Sequence, residues 1–406
     1  MTPAEAAQIM LEHVRALPAV RVPLRAALDT VLAEDVSSPI DLPPWDNSAM
    51  DGYALRSADL EHGTSEFTVI ETIPAGQFPT RPIGPSQATR IFTGAPLPQG
   101  ADSVIRQEDT ELPDAGRVIV RNPRDARKNV RRRGEDIASG TVVLRAGAAL
   151  GPAQLGVLAS IAHDTVSVHR TPRVAFMGSG EEIVDLDRKA EILAGTKIAT
   201  SNSYTLDAMI RRAGAEPVNL GVARDTKESL REHLRGAAGN DLLVTTAGVS
   251  VGEHDLVRDV LAELGGEMKL WRIAMRPGAP VGFGVIGGVP WIGLPGNPVS
   301  TMVTFELFVR PVIRRLEGHG LPFRRTVRVE LRERIALGPK LRHYLRAVVT
   351  EDGARLTGPQ GSGILTSMVL ANALLIIPAD RPEVPAGAEL DALLLDDPRH
   401  VAEPPY

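Results

Sequence analysis

The apolar positions of this chain change their spacing several times along its length. Between residues 3 and 35 they recur at helical intervals (Ala6, Ile9, Met10, Val14, then Leu24, Leu28, Val31, Leu32), which predicts two short helices separated by the Pro18–Pro23 region. From about 45 to 125 the pattern becomes short runs such as Phe67–Ile70, Thr89–Phe92, Ser103–Ile105 and Val118–Val120 between Pro/Gly turns. That spacing predicts a small β-rich domain. Residues 130–170 are mixed, with a helix expected from Gly151 to Ile161 because Pro152 suits a first helical turn.

Residues 172–317 alternate. Arg173–Gly178, Pro217–Val222 and Asp241–Thr246 read as strands, and Ser201–Ala213, Thr226–Arg235 and Asp255–Leu264 as helices. Such alternation predicts a doubly wound parallel sheet, with ligands at the carboxyl ends of its strands. Beyond Leu321, the segments Thr326–Leu331, Arg346–Val349, Ala373–Ile377 and Glu389–Leu395 predict a small β-barrel or open sheet. The expected fold class is therefore α/β and multidomain.

Bulk properties narrow the function. At 406 residues, with 43% hydrophobic and 23% charged residues, the chain is an ordinary globular protein too long for one core. A net charge of −5 argues against a general nucleic-acid binder. Zero cysteines exclude disulfides, thiolate metal sites and a cysteine nucleophile. The polar start Met1–Ala6 is unlike a signal peptide. The uncharged stretch from Pro277 to Phe305 is broken by Pro280, Pro290, Pro295 and Pro298, so it reads as buried strands and turns rather than a membrane span. A cytoplasmic protein is expected.

Several constellations carry candidate chemistry. The loop Thr245–Gly252 joins a strand to the helix expected near Asp255, and Gly248, Ser250 and Gly252 would let an anion approach a helix N-terminus. The same loop also reads as a packing turn, and it lacks the Walker lysine and the dinucleotide fingerprint. Ser201 and Asn202 at another helix start are either an anion cap or a simple N-cap. Glu181, Glu182, Asp225 and Asp255 follow strands, where gathered carboxylates would hold Mg²⁺ and isolated ones are solvated acids. Arg272 and Arg276 precede a Pro-Gly turn and suit phosphate or oxyanion oxygens, or merely snorkel from a strand edge. In Gly293–Ser300, residues Pro295, Asn297, Pro298 and Ser300 form either a rigid ligand loop or a helix start beside the core. Arg131–Arg133, flanked by acids, read as a salt-bridged hinge. The nine histidines show no metal-ligand spacing.

The segment Asp41–Ala54 (Asp-Leu-Pro-Pro-Trp-Asp-Asn-Ser-Ala-Met-Asp-Gly-Tyr-Ala) closely resembles the signature of MoeA-type molybdopterin molybdenumtransferases, the family that includes the E domain of gephyrin. Arg90–Pro98, Asn129–Asp136, Thr246–Gly252 and Gly293–Ser300 resemble further family motifs, and all five stand in the family's order. The resemblance implies four domains: a mixed helical one from 1–45 and 130–171, a β-rich one at 46–129, a MoaB/MogA-like α/β domain at 172–318, and a small C-terminal β-barrel at 319–406. It implies an elongated homodimer whose active site mixes residues of both subunits.

The implied activity is insertion of molybdate into adenylylated molybdopterin with release of AMP. Mg²⁺ would lie on Glu182, Asp225 and Asp255, with Glu182 matching the family pattern better than Glu181. The Gly248–Gly252 loop would hold phosphate, and Asp51 and Thr93 would reach the site from the β-rich domain. Arg346 and Ser367 occupy positions the family uses for molybdate, with Arg342 a rival to Arg346. Ala279 stands where the family usually has a lysine, so Arg276 or Arg346 would have to supply that charge. A separate molybdopterin adenylyltransferase would make the substrate, and no nucleic-acid or membrane partner is implied. The alternative is a nucleotide or pyrophosphate hydrolase built on the same α/β domain; the β-rich first half favours the transferase.

Overall fold

The computed structural model describes residues 1–247, 256–338 and 340–395. It divides into two compact units, one of Met1–Val20, Asp29–Ala33 and Val168–Tyr406, the other of Arg21–Leu28 and Glu34–Ser167.

Helix α1 (Pro3–Glu12) opens the chain under a capping box in which Thr2 and Glu5 satisfy each other's backbone N–H. The second helix expected over Leu24–Leu32 does not form. Leu24–Ala26 makes one 3₁₀ turn, and Asp29 then takes a left-handed φ of 62°, which a continuing helix cannot contain. Helical spacing of Leu24, Leu28 and Leu32 was therefore coincidental, and Leu32 instead bridges Val168.

The second unit is built on a six-stranded sheet. Its strands are β1 (Gly52–Leu55), β2 (Glu66–Ile73), β3 (Gln87–Ile91), β4 (Ser103–Arg106), β5 (Thr110–Asp114) and β6 (Arg117–Val120), in the order β4-β1-β3-β2-β6-β5. Period-2 alternation splits its apolar residues between two clusters: Tyr53, Leu55 and Phe67 on one, Ala54, Ile73 and Ile91 on the other. Helix α2 (Pro152–Ser160) starts on Pro152 as expected.

In the first unit the α/β alternation is realised. Its sheet comprises β7 (Arg173–Ser179), β8 (Glu216–Ala223), β9 (Leu242–Thr246), β10 (Glu267–Leu270), β12 (Gly282–Ile286) and β13 (Val289–Leu294), with β11 (Met275–Arg276) leaving to another sheet. The order is β8-β7-β9-β13-β12-β10. Strands β8, β7, β9 and β13 are parallel, while β12 and β10 add an antiparallel edge that the alternation did not foretell. Helices α3 (Ser201–Arg212), α4 (Lys227–Arg235) and α5 (Leu256–Glu263) connect the strands. Val174 and Phe176 of β7 point into a cluster with α1 and α3, whereas Ala175 and Met177 point into one with α4 and α5. Both faces are thus covered, as a parallel sheet requires.

After β13 comes one long helical run: α6 (Pro298–Thr304), a π-turn at Phe305–Val309, and α7 (Arg310–Leu316). The C-terminal strands β14 (Thr326–Glu330), β15 (Arg342–Thr350), β16 (Gly353–Leu356), β17 (Ala373–Ile377) and β18 (Glu389–Leu394) pair in the order β11-β15-β17-β18-β14, with β16 on β15. A bridge from Leu331, just after β14, to Ala354 of β16 curls this sheet round on itself about Leu345, Ala347, Leu375 and Leu390, as a small barrel requires. Among the described residues no helix is long and apolar enough to cross a membrane.

Candidate functional site

A cavity of about 630 Å³ opens at the carboxyl ends of the parallel strands. Gly178 and Ser179 end β7 there, Thr246 and Ala247 end β9, and Pro295 and Gly296 follow β13. This is the edge where a doubly wound sheet gathers its ligand loops. Ala247 holds φ at 68°, which costs a non-glycine residue about 1–2 kcal/mol. Gly180, at φ 144°, turns the chain after β7 so tightly that a Cβ would sit 2.9 Å from Ile183. The turn delivers Glu182 and Ile183 to the wall, facing Ile198.

The N-terminus of α3 points at this space. Its cap is Thr200 rather than Ser201, and the Thr200 hydroxyl pairs with Ser203 Oγ at 2.7 Å instead of capping the helix. The first-turn N–H groups at Ser201 and Asn202 therefore lie on the cavity wall without a side-chain cap. Asn202 Nδ2 donates to Gly296 O at 2.8 Å, and its buried Oδ1 has no partner among the described residues. Helix α6 is used differently. Asn297 does not cap it; its Nδ2 donates to Ser362 Oγ at 3.0 Å, and Val299 N donates to Ser362 O at 3.1 Å.

Among the described residues lining the cavity, Glu182 is the one charged side chain, and no lysine or arginine is present. Glu181, Asp225, Arg272 and Arg276 are exposed and off this wall, and Ser300 is buried within α6. Gly248, Ser250, Gly252 and Asp255 lie outside the described residues. Mg²⁺ prefers several oxygen donors, and no group of three His, Cys, Asp or Glu that could hold a metal occurs among the described residues. On the cavity wall they offer Glu182 alone, so the described residues do not by themselves assemble the ion's site.

Behind the segment 359–363 lies the missing positive charge. Arg346 on β15 is completely buried. Its Nε donates to Ser367 Oγ at 3.0 Å and its Nη2 to Gly361 O at 2.9 Å and Pro359 O at 3.4 Å. Among the described residues Nη1 is buried with no partner, and no carboxylate reaches the group. Burial pushes its pKa down, yet a guanidinium stays charged in proteins. A buried cation bonded only to neutral acceptors, with one N–H pair unspent, is poised for an anion. Arg342 starts the same strand face but is half-buried. Gly363 continues the segment onto the cavity wall. Ala279 carries no charge there; its carbonyl accepts from Ile273 N at 2.9 Å, and its neighbour Pro280 lines the cavity.

Asp51 and Thr93 belong to the second unit and are a pair. Thr93 donates from N and Oγ1 to Asp51 Oδ1 at 2.8 and 2.7 Å, and these bonds hold the exposed carboxyl below its ordinary range. In the same unit Arg132 Nη1 and Arg133 N donate to Asp46 at 2.7 and 2.8 Å, while Arg133 Nε reaches Asp41 at 2.5 Å. The arginine run is thus tied to acids of the opening motif.

A multidomain α/β protein whose sheet-edge cavity has an uncapped helix N-terminus and one carboxylate on its described wall, with a buried arginine behind the neighbouring segment, has the groups to receive an anionic ligand. Sequence profiles place it further. The MoeA N-terminal region (domain I and II) matches residues 1–162, a probable molybdopterin binding domain matches 178–315, and the MoeA C-terminal region (domain IV) matches 328–395. The molybdopterin molybdenumtransferase of Nostoc sp. is 36% identical over 388 residues, covering 92% of this chain and 88% of that protein. Molybdopterin molybdenumtransferase 2 of Mycobacterium tuberculosis is 36% identical, covering 94% and 96% respectively. The crystal structure of the molybdopterin biosynthesis moeA protein from Pyrococcus horikoshii superposes with a TM-score of 0.85 at 29% identity, covering 97% of this chain and 99% of that one. The chain belongs to the MoeA family of molybdopterin molybdenumtransferases.

The residues that sequence reasoning missed are Thr200, Gln360 and Ser362. Their signal was polarity alone: for Thr200 just before a helix start, for Gln360 and Ser362 within Gln360-Gly-Ser-Gly.

Proposed function

We propose that this protein is a transferase that inserts molybdate into adenylylated molybdopterin and releases AMP. The observation that carries the reading is the buried Arg346 guanidinium with its unspent Nη1, beside a cavity whose wall has helix N–H groups and no cation. In this reading the phosphates of the substrate lie against the N-terminus of α3, where unpaired N–H groups and the helix dipole favour negative charge. Molybdate is a substrate: Arg346, held by Ser367, neutralises its oxygens and positions it. Arg346 also supplies the charge that Ala279 does not. Asp51 and Thr93 enter as a pair that the family resemblance assigns to the reaction.

Mg²⁺ is the ion that the family resemblance implies, with Glu182 the described residue on the cavity wall able to offer it an oxygen. A homodimer, a separate molybdopterin adenylyltransferase that makes the substrate, and a cytoplasmic location belong to the same reading. The test is AMP release from adenylyl-molybdopterin by purified protein with and without molybdate. Molybdate-dependent release is the expected result. Equal release without molybdate would overturn the insertion reading.

A further inference from the structure

Five residues, Pro359–Gly363, connect the buried arginine to the cavity, and the bonds that hold them are unusually complete for a surface connection. Gln360 zips the segment to β15: Arg346 N donates to Gln360 Oε1 at 2.9 Å, and Gln360 Nε2 donates back to Arg346 O at 3.1 Å. The carbonyls of Pro359 and Gly361 accept the Arg346 guanidinium. One residue later, Ser362 makes two bonds to the other half of the site. Its carbonyl accepts Val299 N, a first-turn N–H of α6 that the helix itself leaves free, and its hydroxyl accepts Asn297 Nδ2. Gly363 then lines the cavity. Arg346 and the cavity edge at Asn297 are thus clamped to opposite ends of a three-residue span.

We infer that Ser362 is a positioning residue for the proposed reaction: it locks the segment to the start of α6, and so sets where the Arg346 guanidinium stands relative to the cavity. This rests on the functional reading above. The hydroxyl matters more than the carbonyl for testing, because a substitution can remove it without touching the backbone. Without it, Asn297 loses its anchor, and the segment's tie to the start of α6 is left to the single bond from Val299 N to the Ser362 carbonyl. The unpaired Nη1 has no acceptor to restore its direction. The guanidinium then samples orientations in which it does not meet the anion, which weakens anion capture more than turnover at saturation.

Steady-state AMP release at varied molybdate, on the full chain, separates this role from a merely structural one. Ser362→Ala is expected to raise the molybdate KM about three- to tenfold, the range for loss of one hydrogen bond, with kcat changed less and an unaltered melting transition. Ser362→Thr, which keeps a hydroxyl, is expected to restore the KM. An unchanged KM in Ser362→Ala would overturn the inference, as would a Ser362→Thr no better than Ser362→Ala. A variant that only folds poorly would lower kcat in proportion to the folded fraction and leave KM unmoved, which also counts against it. Failure of the functional reading looks different: the wild-type protein itself would show no molybdate dependence.

Discussion

In the β-rich unit Arg106 Nε meets Asp125 at 2.7 Å, Arg124 meets Asp109 at 2.6 Å and Arg132 meets Asp46 at 2.7 Å. In the C-terminal barrel Arg346 is more deeply buried than any of these, yet among the described residues its guanidinium touches a hydroxyl and two carbonyls and no carboxylate. The same side chain serves two purposes. Paired at a surface, an arginine ties loops together and its charge is spent. Unpaired in the interior, its charge is kept at a cost in stability, since desolvation is only partly offset by neutral acceptors. Under the proposed function, molybdate is the anion that completes the pair and the reason such a cost is retained. The cavity makes the contrast sharper, because its described wall holds no cation and relies on helix and backbone N–H groups.

Breaking the unpaired arginine is expected to have the largest effect. Arg346→Met should lower molybdate-dependent AMP release by about 10²–10³-fold, the scale for losing a preorganised oxyanion donor. It should leave the melting temperature unchanged or raised, because an uncompensated buried charge is removed. Single-turnover release and a thermal melt check both halves. Ser367→Ala, which deletes the acceptor of Arg346 Nε, should weaken molybdate binding about tenfold, measured by equilibrium dialysis.

The paired arginine should behave in the opposite way. Arg106→Met should lower the melting temperature and leave the molybdate KM untouched. The hydrogen bond from Arg106 holds the buried Asp125 carboxyl below its ordinary value, against the opposing effect of burial. Its stabilisation is present above the ordinary carboxylate pKa of about 3.9 and is lost as pH falls through the lowered value. The variant should therefore begin to unfold at a higher pH than the wild type in an acid titration. The smallest effect concerns salt. With no lysine or arginine on the described cavity wall, AMP affinity should change by less than about twofold when salt is raised from about 50 to about 200 mM, because a wall of short-range dipoles is little screened.

Much of this was legible in the chain. The strands and helices from Arg173 to Leu264 announced themselves because strand and helix periods differ, and because Thr226 caps its helix through Ser229 N. Of the C-terminal strands, Thr326–Glu330, Ala373–Ile377 and Glu389–Leu394 were equally plain, whereas the central strand starts four residues before Arg346 and Gly353–Leu356 was not foreseen. What failed, failed for local reasons. Leu24–Leu32 had helical spacing but not the backbone, which turns left-handed at Asp29. Ser201 looked like a cap because serine caps helices, but the boundary fell one residue earlier, at Thr200.

At the site, motif resemblance pointed to Arg346, but the strand pattern left Arg342 as a rival. Both lie on one face of β15 at i and i+4, and only the packing of Ser367 and the 359–363 segment over Arg346 separates them. Asn297 stands at the start of a helix, as one reading of Gly293–Ser300 had it, yet its side chain bonds Ser362, a partner 65 residues away that no local rule could supply. The three-carboxylate set was read from strand ends, and among its described members only Glu182 faces the cavity.

The most direct test of the central contrast is molybdate binding itself, measured by equilibrium dialysis with quantification of bound metal on wild type and Arg346→Met. Saturable binding by the wild type that disappears in a fully folded Arg346→Met is the predicted result. Equal binding by the two proteins would show that the unpaired guanidinium is not the oxyanion's partner, and would contradict the account.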